Sequence, residues 1–134
     1  MKKFIILPVA LFVCACTSLS HEPSWQPAPS NEEGVDMYYW DDAITDQDNK
    51  NFKSTRVLAH GSSYGASLVF EITFNCETPE PSMRLNQINA YSEEYAKGLL
   101  VGKLMDKPET RWENISSTSD MRPFLHTYKQ ICGK

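Results

Sequence analysis

The chain has 134 residues, of which 41% are hydrophobic and 11% aromatic, and its formal net charge is −4. This length supports one domain, and the apolar content excludes a wholly disordered chain. The segment 17–49 carries eight acidic residues and no Lys or Arg, which argues against nucleic acid as a partner, because its field repels phosphate backbones.

The first 15 residues are predicted to be an export signal. Lys2 and Lys3 precede an apolar run over 4–13 that is too short to span a bilayer but has the length of a secretory signal. The run leads into Val-Cys-Ala-Cys, which resembles the lipobox of bacterial lipoproteins and predicts cleavage after residue 15 and a lipid on Cys16. The alternative is an ordinary secretory signal cut at the same bond, which leaves Cys16 as a free thiol. A multi-chain lipid there would hold the protein durably on a membrane.

Residues 16–33 are predicted to be a tether. The segment contains three prolines among polar residues, a composition typical of a semi-extended linker. Trp25 within it either docks on the domain or lies at the membrane interface. By resemblance to Gram-negative lipoproteins, the absence of Asp directly after Cys16 favours the outer membrane.

Residues 34–134 are predicted to form the folded domain, which begins with six strands. Alternating or apolar patterns place these strands at 35–40, 54–60, 68–76, 83–92, 99–104 and 111–115. The third is the clearest, because every second residue from Leu68 to Cys76 is apolar. The fourth changes parity between Leu85 and Ile88, which predicts a β-bulge.

A single helix is predicted at the C-terminus, over 120–132. Apolar residues recur there at helical spacing, at Met121, Phe124, Leu125, Tyr128, Ile131 and Cys132. Ser119 or Asp120 is expected to cap the helix, and Pro123 lies within the first turn, where proline is tolerated. The predicted fold class is therefore α+β, an antiparallel meander of about six strands with this helix packed on one face.

Cys76 and Cys132 are predicted to form a disulfide. They are the two cysteines that remain once the signal and the lipid site are set aside. An even count in an oxidising compartment favours pairing. Cys76 lies on the apolar side of its strand and Cys132 on the apolar stripe of the helix, so both point towards the core. Such a bond would fasten the helix to the sheet.

No catalytic or metal-binding residue is predicted. The segment 61–65 matches the G-x-S-x-G pattern, but a nucleophile elbow needs a helix after the serine and a large α/β sheet. A strand follows here, so a hairpin loop is expected. The segment 46–50 starts like a calcium loop but lacks the glycine and the closing glutamate, so a polar turn is expected. The three histidines have no metal-ligand spacing.

The domain resembles the surface-adhesin protein E family of Gram-negative outer-membrane lipoproteins. The residues that carry the resemblance follow one another from 35 to 132: the strand 36–41, Asn75-Cys76, Met83-Arg84-Leu85, the aromatic stretch 91–95, Trp112, and Gln130-Ile131-Cys132. The resemblance implies an antiparallel sheet tied to a C-terminal helix by a disulfide. It also implies display at the cell surface and binding of host extracellular-matrix or plasma proteins, and it suggests haem as a further ligand.

The resemblance places partner binding in the stretch that leads into strand 68–76. The candidate partner-binding residues in this chain are Arg56, His60, Ser62, Ser63 and Tyr64. Family members carry basic residues there, and a polar loop does not supply the same charge-assisted contacts. The alternative is a periplasm-facing envelope lipoprotein that binds another bacterial protein in a structural or inhibitory role. Homodimerisation through an exposed edge strand stays open.

Overall fold

The computed structural model describes residues 22–30, 32–61, 66–93, 96–105, 107–116 and 119–133. The strands in these ranges are β1 (Trp25–Ala28), β2 (Val35–Trp40), β3 (Ile44–Thr45), β4 (Phe52–Gly61), β5 (Ser67–Asn75), β6 (Ser82–Tyr91), β7 (Leu100–Lys103) and β8 (Glu113–Asn114). A 3₁₀ turn (Ser119–Met121) leads into one helix, α1 (Arg122–Cys132). The predicted signal 1–15 and Cys16 lie outside the described residues.

The strands form one antiparallel sheet in the order β1-β2-β4-β5-β6-β7. Two short strands share edges with longer ones, since β3 pairs with the start of β4 and β8 with the start of β6. The predicted α+β sheet with a packed helix is confirmed, but the last predicted strand, 111–115, is wrong in extent and in partner. Only Glu113–Asn114 pair, and they return to β6 because β7 occupies only the other end of that strand.

β1 lies within the segment predicted to be a tether. It pairs with β2 over four residues, with Trp25 opposite Trp40. Pro27 is compatible with this strand because β1 is at the edge of the sheet, where a missing N–H breaks no ladder bond. The folded domain therefore begins before residue 34, and the predicted boundary was too late.

The core lies between one face of the sheet and α1. Val57, Ile72 and Phe74 are fully buried there, and Tyr128 of α1 packs against them. The predicted parity of strand 68–76 and the predicted apolar stripe of the helix are both confirmed, because their members line this core. The described cysteines form the predicted disulfide between Cys76 and Cys132, with Cα atoms 5.4 Å apart.

The start of α1 differs from the prediction. The N-cap position is Met121, which makes no side-chain capping bond, and Arg122 is the first helical residue. Ser119 and Asp120, the predicted cap residues, lie in the 3₁₀ turn before the helix and not at its N-cap position. Pro123 does lie in the first turn, as predicted.

The predicted bulge in the fourth strand is confirmed. Glu71 pairs with Gln87 while Ile72 pairs with Leu85, so Asn86 is the extra residue of β6. The polar turn predicted at 46–50 is also present, because Asp46 Oδ1 accepts the backbone N–H of Asp48 at 2.8 Å.

We expect the free energy of unfolding to fall as the pH rises above about 10. Burial raises the pKa of the Tyr128 phenol, and burial followed by the charge of Asp41 raises the pKa of Tyr39. The unfolded phenol ionises near its ordinary value of about 10, so above that pH the folded state binds more protons and loses stability. Thermal unfolding at about pH 8 and about pH 11 measures the loss. Tyr128→Phe should lose less than wild type, and an equal loss in both proteins would contradict the assignment.

Candidate binding face

The sheet face turned away from α1 carries the candidate site. We call it the open face, and its side chains belong to alternate residues of the strands and to the segment before β8: Trp25, Trp40, Phe52, Ser54, Arg56, Glu71, Thr73, Arg84, Asn86 and Trp112. Thr73 is buried, and the other nine residues are half-buried, so they present part of their side chains to solvent. The helix packs on the opposite face. Further along this face Leu58 and Val69 are buried, so only the part that carries these residues is accessible to a partner.

An arginine sits against two tryptophans at one side of the open face. The ring centroids of Trp25 and Trp40 are 5.1 Å apart in an edge-to-face arrangement. The guanidinium carbon of Arg56 lies 4.6 Å from the Trp40 centroid and 5.4 Å from the Trp25 centroid. These distances are within the range of cation–π attraction, which holds the arginine in one place.

Hydrogen bonds from neighbouring residues fix this cluster. The Asp41 carboxylate accepts the Ser24 backbone N–H at 2.9 Å and the Gln26 side-chain amide at 3.1 Å, which ties β1 to the end of β2. Thr55 Oγ1 donates to the Trp40 carbonyl at 2.6 Å. The backbone on both sides of the tryptophan pair is therefore held before any partner arrives.

A polar group lies at the centre of the open face. The hydroxyl oxygens of Ser54 and Thr73 are 2.8 Å apart, and the Asn86 amide donates to Thr73 Oγ1 at 2.7 Å. Asn86 reaches this position because it is the bulge residue, and bulges often redirect a side chain in this way. The alternation of apolar and polar residues in the sequence did not by itself indicate a role for Asn86.

An open groove of about 410 Å³ runs between the tryptophan cluster and this polar group. Its walls include Trp40, Ile44 and Arg56, together with the carboxylates of Asp42 and Glu71. Glu71 stands directly across from Arg56 in the strand register. The groove thus offers an aromatic surface, a cation and two anions side by side.

A second arginine cluster lies on the other side of the open face. Arg84 has its guanidinium carbon 4.4 Å from the Trp112 centroid and 5.7 Å from that of Phe52. The two rings are themselves 4.9 Å apart. Among the residues that the structure describes, Arg84 Nε is buried with no hydrogen-bond partner, so the aromatic rings surround this part of the guanidinium.

Of the candidate partner-binding residues, the structure describes Arg56 and His60, and these two do not lie together. Arg56 lies in the groove, but His60 is only 8% exposed, and its Nδ1 is 3.2 Å from the Ala66 carbonyl oxygen. These two residues are four positions apart on β4, roughly 13 Å along the strand. The remaining predicted site residues lie outside the described residues: Cys16, Ser62, Ser63 and Tyr64.

Sequence reasoning missed most of the open face. Trp40 and Arg84 were noted only as parts of the family resemblance, and Trp25 only as part of the tether. The alternation of the strand was the signal available for Trp40. Met37 and Tyr39 face the core, so Trp40, at the opposite parity, is expected to face the other side of the sheet. The pairing of Trp25 with Trp40 had no such signal, because it depends on β1 joining the sheet.

No protein-family model, curated protein or solved structure matches this chain. Within the described ranges, no helix has the length and apolar character needed to cross a membrane. The same ranges hold no group of three His, Cys, Asp or Glu side chains arranged to hold a metal ion.

Proposed function

We propose that this chain is an outer-membrane surface lipoprotein that binds host extracellular-matrix or plasma proteins through its open face. The observation that carries the proposal is the position of Arg56, held against Trp25 and Trp40 beside an open groove. Tryptophan and arginine are the residue types that most often dominate binding energy at protein interfaces. Both are displayed here on a sheet face that the helix leaves uncovered.

The rigidity of the site supports a binding role. Arg56 projects from β4, an inner strand paired on both sides, and the Asp41 bonds hold the neighbouring tryptophans. A surface that is ordered before binding loses little conformational entropy when a partner docks. The groove also presents both signs of charge, which favours a protein partner with a mixed polar rim.

Two parts of this proposal, the lipid anchor and the host partner, are supported by the sequence. The Val-Cys-Ala-Cys segment supports a lipid on Cys16, and the resemblance to the surface-adhesin protein E family supports display outside the cell. The acidic leading segment 17–49 would keep the domain well solvated. The function proposed is non-catalytic, and recognition depends on surface shape and charge.

We expect Arg56→Gln and Trp40→Ala each to weaken binding to host proteins about 30-fold, the effect of removing an interface hot spot. Cells that express the full chain are tested against immobilised plasma and solubilised basement-membrane extract. Arg122→Gln is the matched control, because Arg122 is an exposed cation on the helix side of the domain. Equal binding by wild type, the two open-face variants and the control would refute a role for the open face.

The same cells can be used to determine on which side of the outer membrane the domain lies. Protease treatment of intact cells should remove both the protein and the binding. Protection until the outer membrane is permeabilised would replace host binding with the periplasm-facing alternative, in which the open face binds another envelope protein. Retention of a Cys16→Ala variant in the membrane fraction would show that the lipid is not the anchor.

A further inference from the structure

A second concave site lies on the helix side of the sheet, where α1 begins. Met37, Ala59 and Leu68 stand opposite one another on three adjacent strands, so their side chains share one face of the sheet. The helix starts only at Arg122, and its first turn packs on Phe70, next to this row. The row itself lines an open pocket of about 280 Å³, which we call the helix-end pocket, with apolar walls that include Val35, Met37, Ala59, Leu68, Phe70 and Phe124.

The helix-end pocket has the size and the lining of a site for one large apolar side chain. Its volume of about 280 Å³ is just below the range of roughly 300–1,000 Å³ that is typical of small-molecule sites. The rings of Phe70 and Phe124 meet edge to face in its wall, with centroids 5.6 Å apart, and Met37 lies beside them. Aromatic rings and a methionine sulfur make their most favourable apolar contacts with another aromatic ring. An aromatic residue of a partner therefore fits the lining.

The wall formed by the segment between β1 and β2 is held in place by hydrogen bonds. Ser30 Oγ donates to the Glu32 carbonyl at 3.0 Å and accepts the Glu32 backbone N–H at 3.3 Å. The Val35 backbone N–H also donates to the Glu32 carbonyl, at 3.3 Å. Gly34 closes this turn with φ +79°, a conformation that glycine adopts without strain. The pocket is thus formed before a ligand arrives, which lowers the entropy cost of binding.

The rim of the helix-end pocket is acidic. Two exposed residues, Glu32 and Asp120, line it. The sequence within two positions of any lining residue contains five acids and one base, namely Glu32, Glu33, Asp36, Glu71 and Asp120 against Arg122. Asp36 and Glu71 alternate with lining residues and so face the other side of the sheet, which leaves three acids and one base on the side of the pocket. The rim therefore favours a cationic partner and disfavours phosphate or carboxylate groups.

We infer that the helix-end pocket binds a basic peptide segment of a partner protein, which inserts one aromatic residue into the pocket and places lysine or arginine side chains at the acidic rim. The apolar lining supplies the burial that makes such an anchor residue dominate binding. The carboxylates of Glu32 and Asp120 supply the charge complementarity that selects basic neighbours. The pocket lies on the opposite side of the sheet from the open face, so it is a second site and not part of the groove around Arg56.

The test uses the polypeptide from Thr17 to Lys134, which retains every described strand, the helix and the disulfide. NMR titration measures its binding to three synthetic peptides with blocked ends: Lys-Lys-Phe-Lys-Lys, Lys-Lys-Ser-Lys-Lys and Glu-Glu-Phe-Glu-Glu. We expect the first to bind at least about tenfold more tightly than either of the others, because they lack the aromatic anchor or carry the wrong charge. Its binding should weaken as salt is raised, since the rim charges are screened.

Ala59→Leu should weaken binding of the basic aromatic peptide at least about tenfold, because the larger side chain occupies the space of the anchor. Glu32→Gln/Asp120→Asn should weaken it about fivefold and reduce its salt dependence, as expected for two exposed ion pairs. Glu109→Gln/Glu113→Gln is the matched control, since it also removes two exposed carboxylates but lies by β8, which pairs with the other end of the sheet. The Glu32/Asp120 variant decides the test if Ala59→Leu loses its thermal unfolding transition.

Equal binding of the phenylalanine and serine peptides, or no binding of either, would overturn the inference. So would an equal loss in the Glu32/Asp120 variant and its matched control, because the attraction would then be unspecific. Weaker binding by Asp42→Asn/Glu71→Gln but not by Ala59→Leu would place the peptide in the groove of the open face instead. The variants at the pocket leave the open face unchanged, so failure here does not affect the host-binding result with Arg56→Gln.

Discussion

Replacement of both disulfide cysteines, Cys76→Ala/Cys132→Ala, should lower the free energy of unfolding by about 4 kcal/mol. The two residues are 56 positions apart, and the bond joins the end of β5 to the last residue of α1. A crosslink over such a distance removes many conformations from the unfolded chain, which is the main source of its stabilising effect. The helix forms one whole side of the core, so the bond also limits its detachment from the sheet.

Equilibrium denaturation in urea measures this effect. The wild-type protein in excess reductant is the matched control, and its midpoint should coincide with that of the double variant under oxidising conditions. Equal midpoints for the oxidised wild type and the double variant would contradict the prediction. The double substitution is preferred to Cys132→Ser because the single change leaves a thiol at Cys76.

Phe74→Ala should lower the free energy of unfolding by about 3–5 kcal/mol, the range for truncation of a buried aromatic residue. Phe74 is the largest of the fully buried side chains, and its ring centroid is 5.6 Å from that of Tyr128 in an edge-to-face arrangement. The substitution removes apolar surface from the core and leaves a cavity that β5 and α1 cannot close, since both are held by the nearby disulfide. The lost ring contact adds to the cost.

Phe70→Ala is the matched control for this substitution. Phe70 lies on the same strand and makes a similar contact, 5.6 Å from Phe124, but it is only partly buried. Its truncation should therefore cost less, because part of the space is already open to water. A cost for Phe74→Ala no greater than that for Phe70→Ala would contradict the burial argument. Thermal and urea denaturation of both variants provide the comparison.

The losses of unfolding free energy caused by removing the disulfide and by truncating Phe74 should not be additive, because both changes affect the contact between β5 and α1. Phe74 and Cys76 lie on the same side of the chain at the end of β5, and both face α1. Changes at neighbouring sites that share a partner usually couple. A small domain has only about 5–15 kcal/mol of total stability, so a variant that carries both changes is expected to be largely unfolded.

The order and spacing of residues along the chain determined the parts of this protein that depend on local periodicity. The alternation of 68–76 predicted β5 and its buried side, and the helical spacing of 120–132 predicted the packed face of α1. Because both patterns turn a cysteine inward, they also predicted the disulfide. The parity change near Leu85 predicted the bulge, since an extra residue is what restores the inward alternation.

Tertiary structure alone decided the features that depend on contacts between distant segments. β1 has a proline-containing sequence with no strand pattern of its own, and it forms because β2 offers a free edge and Asp41 binds Ser24 and Gln26. β8 pairs with β6 because β7 leaves part of that edge open.

The open face is the main feature of this second kind. Its arginine clusters combine residues from β1, β2 and β4 on one side, and from β4, β6 and the segment before β8 on the other. Local periodicity assigns each side chain to a face, but which residues become neighbours on that face depends on strand order and register. Those are set by the packing of the whole sheet against α1. The resemblance in the sequence could therefore name Arg56 as a candidate residue, but not the tryptophans that lie against it.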